Sequence, residues 1–214
     1  MNPGELVFDI GANRGDYTSI FKKLQANVVA LDPQKSCFRV LSRRFRNDTK
    51  VTLYPLAAAN NEADFTMHVG DASEVSSMSE GWIEAVKATK RFGEAGWSRK
   101  QTVKGITLDR LISRHGAPRY IKIDVEGFEP AVISGLSQAV EFISLEWTQE
   151  CPEGLEKCVQ RLETLSDIEL NISLGENFKL EFPEWLSWEK LKAQLEQFGY
   201  DKAYGDVYVR SRKS

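Results

Sequence analysis

Apolar and polar positions along this chain fall into blocks that switch between the strand and helix periods. Leu6-Val7-Phe8 is a short apolar run that ends in Asp9-Ile10-Gly11. Tyr17, Ile20, Phe21 and Leu24 then stand at i, i+3, i+4 and i+7, the spacing of one helix face. Val28-Val29-Ala30-Leu31 follows as a second strand, closed by Asp32-Pro33. A second helix turns Phe38, Leu41 and Phe45 inward and Arg39, Arg43, Arg44 and Arg46 outward, and Val51-Thr52-Leu53-Tyr54 is a third strand. The β-α-β-α-β order predicts a parallel sheet wound by right-handed crossovers.

The rhythm then breaks. Asp64 to Val69 predicts an extra strand, and residues 70 to 100 predict loops with a short helix near Glu84 to Lys90. Too few apolar positions fall here for a second core. The segment at about 70–104 therefore reads as an insertion, on the substrate side or as a lid, in a single domain spanning 1–214. Regular alternation resumes with Thr107, a cap for a helix carrying Leu108, Leu111 and Ile112. Tyr120 to Asp124 is a fourth strand, and a helix from Glu129 has Pro130 in its first turn. Val140 to Leu145 predicts a fifth strand ending at Glu146. Leu155, Cys158, Val159 and Leu162 mark a helix face, and Ile168 to Leu174 a sixth strand. Trp188, Leu191, Leu195 and Phe198 mark the last helix, before a final strand at Val207-Tyr208-Val209.

Composition narrows this picture only a little. A chain of 214 residues with a formal charge of -3 fits one α/β core. Mild acidity argues against a broad nucleic-acid surface, which wants clustered Lys and Arg. Cys37, Cys151 and Cys158 form no CxxC and read as small hydrophobes in a reducing compartment. Two histidines, His68 and His115, are too few for a His-rich zinc site. No N-terminal apolar region precedes the first strand and no run is long enough to span a bilayer, so a soluble, cytoplasmic protein without a membrane partner is expected.

In open parallel sheets, ligands bind outside the carboxyl ends of the strands. Four groups fall there: Asp9 to Gly15, Asp32, Asp124 to Gly127, and Glu146. Gly11 and Gly15 let the backbone turn tightly, and Asn13 tolerates a left-handed conformation. The Gly-x-Gly-x-x-Gly fingerprint for pyrophosphate is absent and the helix opens with Asp16, which disfavours a nicotinamide dinucleotide. A methionine moiety with its ammonium and sulfonium tolerates nearby acids. Asp32 can accept hydrogen bonds from ribose hydroxyls or cap the following helix. Asp124 and Glu126 share a side if their strand continues, and can flank a reaction centre. Glu129 suits the N-terminus of the next helix.

Three segments together resemble the FkbM-type methyltransferases: Phe8-Asp9-Ile10-Gly11-Ala12-Asn13-x-Gly15, Thr107-Leu108-Asp109, and Ile121 to Glu129 with its Asp-Val-Glu-Gly core. Ser76-Ser77-Met78 and Ile143-Ser144-Leu145-Glu146 fit in order, so the resemblance covers roughly residues 6 to 147. It implies a Rossmann-like class I three-layer α/β sandwich whose seven-stranded, mostly parallel sheet has an antiparallel last strand. It also implies bound S-adenosylmethionine and O-methyl transfer to a hydroxyl on a sugar, glycan or natural-product small molecule. A cover N-terminal to the first strand, which many relatives carry, is expected to be missing.

The site reading places Asp9, Gly11, Asn13, Gly15, Asp32 and Asp124 around the cofactor. Asp124 orients near the methionine end, Glu126 is the leading general base, and His68 is a second candidate base. Asp124, Glu126 and Glu146 could supply oxygen ligands to a hard divalent cation such as Mg²⁺, but three acids are the whole case for it and no metal ligand is assigned. The insertion carries Lys87, Lys90, Arg91, Arg99, Lys100 and Lys104 with Trp82, Phe92 and Trp97 interleaved. Cations with aromatics suit an anionic or glycan-like acceptor. Three other functions stay open: a nicotinamide-dependent oxidoreductase, a nucleic-acid methyltransferase using the basic insertion, and a non-catalytic module on the same fold.

Overall fold

In the computed structural model, which describes residues 1–175, 177, 179–198 and 204–212, the first half alternates as the periodicity requires. β1 (Leu6–Ile10), α1 (Asp16–Lys23), β2 (Asn27–Leu31), α2 (Lys35–Phe45) and β3 (Val51–Tyr54) come first. β4 (Ala57–Ala58), β5 (Asp64–Val69), α3 (Glu80–Thr89) and β6 (Arg99–Ile106) follow. The second half runs α4 (Leu108–His115), β7 (Tyr120–Ile123), α5 (Glu129–Ser134), β8 (Phe142–Thr148), α6 (Pro152–Glu163), β9 (Ile168–Leu174), α7 (Trp188–Leu195) and β10 (Tyr204–Ser211).

Seven strands form one sheet in the order β3-β2-β1-β7-β8-β10-β9. All neighbours pair in parallel except β10, which runs antiparallel to both β8 and β9. The expected seven-stranded sheet with an antiparallel last strand is thus present. The order reverses beside β1, between β2 and β7, and the cleft of an open sheet lies at that switch point.

Both sheet faces are packed, but unevenly. On one side Phe8, Ile10, Ile121, Ile123, Ile143, Leu145, Leu170 and Val207 meet the apolar stripes of α4, α5, α6 and α7. On the other, Val7, Val28 and Ala30 meet Phe21 of α1 and Leu41 and Phe45 of α2. Beyond β7 that second side turns polar, presenting Ser144, Asp206, Tyr208 and Arg210 in register. Tyr17 of α1 reaches toward it, close enough for Asp206 and Tyr208 to act on its hydroxyl. Ile20 and Leu24, predicted on the buried face of α1, are 46% and 48% exposed, while Thr18 and Phe21 point inward.

The segment after β5 is more ordered than its composition predicts. Its helix starts at Glu80 rather than near Glu84, capped by Ser79, whose Oγ accepts from Trp82 N at 3.2 Å. Arg99 to Ile106, where the sequence reading has a loop up to residue 100 and no element from there to Thr107, is a strand antiparallel to β5 and also paired with β4. Its run of exposed Arg99, Lys100 and Lys104 hides the strand period. Val75, Trp82, Ile83 and Val86 form a small cluster of their own. Trp82, read as an aromatic beside surface cations, is 1% exposed and sits against Gly127, where a Cβ would lie 2.4 Å from the Trp82 Cβ. Arg91 is bound by both oxygens of Glu150, at 2.5 and 2.7 Å, tying the segment to the end of β8.

Trp82→Ala removes a fully buried indole and is expected to cost about 3–5 kcal/mol of stability. Phe92→Ala, at a ring 40% exposed, should cost about 1 kcal/mol or less. Urea denaturation of the two variants checks this, and equal losses would mean that the cluster is not a core.

Candidate functional site

The site begins where β1 ends. Gly11 N and Ala12 N both donate to Leu31 O, at 3.0 and 2.8 Å, so the first turn is tied to the tip of β2. Gly11 adopts φ +81°, and a Cβ there would lie 1.8 Å from the backbone oxygen of Asp124. Only hydrogen fits. Asn13 and Gly15 also have positive φ, at +48° and +88°. A Cβ on Gly15 would meet Phe45 and Leu41 of α2 at 2.5 and 2.7 Å.

Asp32 holds this turn in shape. Its Oδ2 accepts from Asn13 N and its Oδ1 from Gln34 N, each at 2.8 Å. The carboxylate thus clamps the first turn to the start of the second helix, a version of the capping role foreseen for it. Each oxygen keeps a lone pair for a ligand hydroxyl. Burial, only partly offset by the two N–H groups, pushes the Asp32 carboxyl up to about 7.

Asp9 lies fully buried behind the turn. Its Oδ2 accepts from Thr18 Oγ at 2.5 Å. Its Oδ1 has no partner, and among the described residues no other buried side-chain polar atom is in that position. Burial raises its pKa against the pull of Lys122. An orphaned buried acceptor of this kind calls for an explanation, and an absent donor is the simplest one.

Asp124, Glu126 and Glu146 converge, each with a carboxylate oxygen within 4.8 Å of the others'. The route differs from the sequence reading. β7 stops at Ile123, and a left-handed turn at Glu126 (φ +54°) and Gly127 (φ +84°), not a continuing strand, folds the carboxylates together. Ser77 Oγ fixes that turn by donating to Glu126 O at 2.6 Å. Glu146 comes from inside β8, one residue beyond the Ile123–Leu145 pair. Burial, and then the charge of neighbouring carboxylates, raise both Glu126 and Glu146 well above the usual carboxylate range.

One cation sits in this acidic group. Lys122, 2% exposed, donates to Asp124 Oδ2 at 2.6 Å and lies 4.2 Å from the Tyr17 ring centroid. Burial opposes its charge, but Asp124, Asp9 and Asp206 outweigh burial and raise its pKa. Burial pushes Asp206 up to about 6 and Tyr17 up to about 12. Lys122 and Asp206 escaped the sequence reading as site residues, and Tyr17 was read only as part of a helix face. A lysine at an inward position of the otherwise apolar Tyr120-Ile121-Lys122-Ile123 strand was the signal for the first.

Gly11, Asn13, Asp32, Asp124 and Glu126 border one cleft, with Asp9, Lys122, Glu146 and Asp206 outside its lining. Gly11, Asn13 and Asp32 form one wall, Asp124 and Glu126 another, and Leu56, Met67 and Met78 an apolar side. His68 is not part of that lining. Its Nε2 lies 3.2 Å from Glu80 Oε1, and its backbone pairs with Ser77. The cations of the insertion are not uniformly free either: Arg91 binds Glu150, Lys90 lies 3.5 Å from Glu94, and Lys87 stacks 5.1 Å from the Trp97 ring centroid.

A family model described as the methyltransferase FkbM domain matches residues 9–200. The chain belongs to the FkbM methyltransferase family. No curated protein matches it. Among solved structures, the precorrin-6y C5,15-methyltransferase of Geobacter metallireducens is 11% identical with a TM-score of 0.50, covering 100% of this chain and 82% of that one. Aeropyrum pernix fibrillarin, in complex with natively bound S-adenosyl-L-methionine, is 7% identical with a TM-score of 0.47, over 97% of this chain and 67% of that one. A TehB-like SAM-dependent methyltransferase from Corynebacterium glutamicum is 11% identical with a TM-score of 0.45, over 99% and 83%. At 11% identity the likeness to the first of these is one of fold. Among the described residues no helix of this FkbM-family chain is long and apolar enough to cross a membrane.

The raised carboxyls make a pH prediction. Glu129, 6% exposed, accepts from Val125 N at 3.0 Å, and burial pushes it up to about 7. The native state therefore holds a proton that the unfolded chain releases near pH 4, and stability from this group falls as pH rises from about 4 to 7. The stability of wild type relative to Glu129→Gln should decline across that window in urea titrations. A difference that is flat or rises with pH would contradict the assignment.

Proposed function

We propose that this methyltransferase moves the methyl group of S-adenosylmethionine to a hydroxyl on a sugar, glycan or natural-product acceptor. The observation that carries the proposal is the convergence of the Gly11 turn, Asp32 and the Asp124–Glu126 turn on one cleft. The residues fit the cofactor. The orphaned Asp9 Oδ1 is an acceptor suited to the methionine ammonium, and Asp124 adds a second negative charge at that end. Asp32 offers its remaining lone pairs to the ribose hydroxyls, and Leu56, Met67 and Met78 give the base an apolar wall. The same acids, with Asp16 at the helix start, repel a pyrophosphate and disfavour the dinucleotide alternative.

Bound S-adenosylmethionine supplies a methyl group already activated by its sulfonium. The chain supplies alignment, which can be worth about 7–11 kcal/mol, and a place for the acceptor's proton. Glu126 takes that proton. Its carboxylate lies at the cleft, and its raised pKa makes it a stronger base than an exposed glutamate. Glu146 beside it keeps the pKa high, while Lys122 supplies positive charge that a divalent cation would otherwise bring. The acceptor enters from the side of α3, where a smaller cleft is lined by Trp82, Glu146 and Trp147. The segment of about 70–104 is its cover, within a single methyltransferase domain.

Transfer of labelled methyl to a panel of hydroxylated glycans tests the proposal. Glu126→Gln should lower turnover by about 10²–10⁴-fold and leave S-adenosylhomocysteine affinity unchanged. The wild-type rate should rise with pH as Glu126 loses its proton, and the variant should lack that rise. Near-normal turnover of the variant would remove Glu126 from the role of base.

A further inference from the structure

The net charge of this chain conceals a strong separation. Between Arg14 and Lys50 there are nine Lys and Arg against three Asp, in a chain whose total is -3. One of those Asp residues, Asp32, is buried in the cleft, and the other two are engaged, Asp16 with Arg44 and Asp48 with Lys22. The remaining cations concentrate on α2. At 3.6 residues per turn, Lys35, Arg39 and Arg43, with Arg46 continuing the helical backbone at the C-cap, fall within an arc of about 80°, opposite the buried Cys37, Leu41 and Phe45. They make a ridge about 16 Å long. All four are exposed, and none has an ion pair or a side-chain hydrogen bond among the described residues.

Local stability does not explain the ridge. Lys35 stands in the first turn of α2, where the helix dipole disfavours a cation, and that turn holds no acid. The ridge borders an open groove between α2 and β6. Lys35 and Arg39 line one wall and Lys104 the other, with Phe38 and Thr102 between them and no carboxylate in the lining. Pro33 belongs both to this groove and to the cofactor cleft, so the two are neighbours.

We infer that α2 and β6 form a docking track for the phosphate backbone of a single-stranded nucleic acid. A row of cations at one-turn intervals beside a groove holding an aromatic ring is the arrangement that follows a phosphodiester chain and gives a base something to stack on. A flat anionic lipid surface fits less well, since Val40 is the only exposed large apolar residue on α2. The inference goes beyond methyl transfer and does not depend on it, because none of these side chains belongs to the cofactor site.

Fluorescence anisotropy of the full chain with a labelled 12-nucleotide single-stranded RNA tests it. Five cations contacting phosphates give a log affinity against log salt slope of about -3.5, at roughly -0.7 per contact. Arg39→Gln/Arg43→Gln should bind at least about tenfold more weakly at low salt, with a slope shallower by about 1.4. Binding of S-adenosylhomocysteine should be unchanged, showing that the variant is folded. No binding by wild type at 50 mM salt, or equal binding by the variant, would overturn the track. So would binding to vesicles of phosphatidylserine and phosphatidylcholine without binding to the RNA.

Discussion

The approach of two strand tips governs the rest of the site. β1 and β7 are adjacent, parallel and in register, so their ends arrive at one level. The chain leaving β1 must then pass within contact distance of the Asp124 carbonyl, which it does only because residue 11 lacks a side chain. Asp32 secures the arrangement from β2, reaching both Asn13 N and Gln34 N. Three neighbouring strands thus contribute one surface of the same cleft. Its shape follows from sheet order and a missing Cβ more than from any loop.

That close approach also concentrates charge. Asp9, Asp124, Glu126, Glu146 and Asp206 surround one buried lysine, and burial raises the carboxyls of Asp9, Glu126, Glu146 and Asp206. Lys122 cannot balance them all. A site with surplus buried negative charge is poorly stable by itself and well matched to a cationic ligand. S-adenosylmethionine carries positive charge on its ammonium and its sulfonium. The surplus of buried carboxylates and the preference for that cofactor then have a common origin.

Much of this was legible in the sequence, and the exceptions have physical causes. The alternation from Leu6 to Tyr54 announced the parallel sheet because buried strands and amphipathic helices leave unambiguous periods. Gly11, Asn13 and Gly15 were readable because positive φ restricts residue type. β6 was missed since Arg99, Lys100 and Lys104 face solvent and leave only Val103, Gly105 and Ile106 buried. The convergence of Asp124 with Glu126 was foreseen for the wrong reason: no local pattern tells a continuing strand from a left-handed turn at a glutamate. Lys122 and Asp206 meet only through strand pairing, which a linear reading does not supply. The exposure of Ile20 and Leu24 likewise follows from how α1 is rotated on the sheet, with Thr18 and Phe21 inward, which helical period alone does not set.

The central claim is that this cleft is built for a sulfonium nucleoside. Calorimetric titration of the full chain with S-adenosylmethionine, S-adenosylhomocysteine and NADH tests it most directly. The account predicts micromolar binding of the two sulfur ligands and none of NADH. Binding of NADH, or of none of the three, would contradict it.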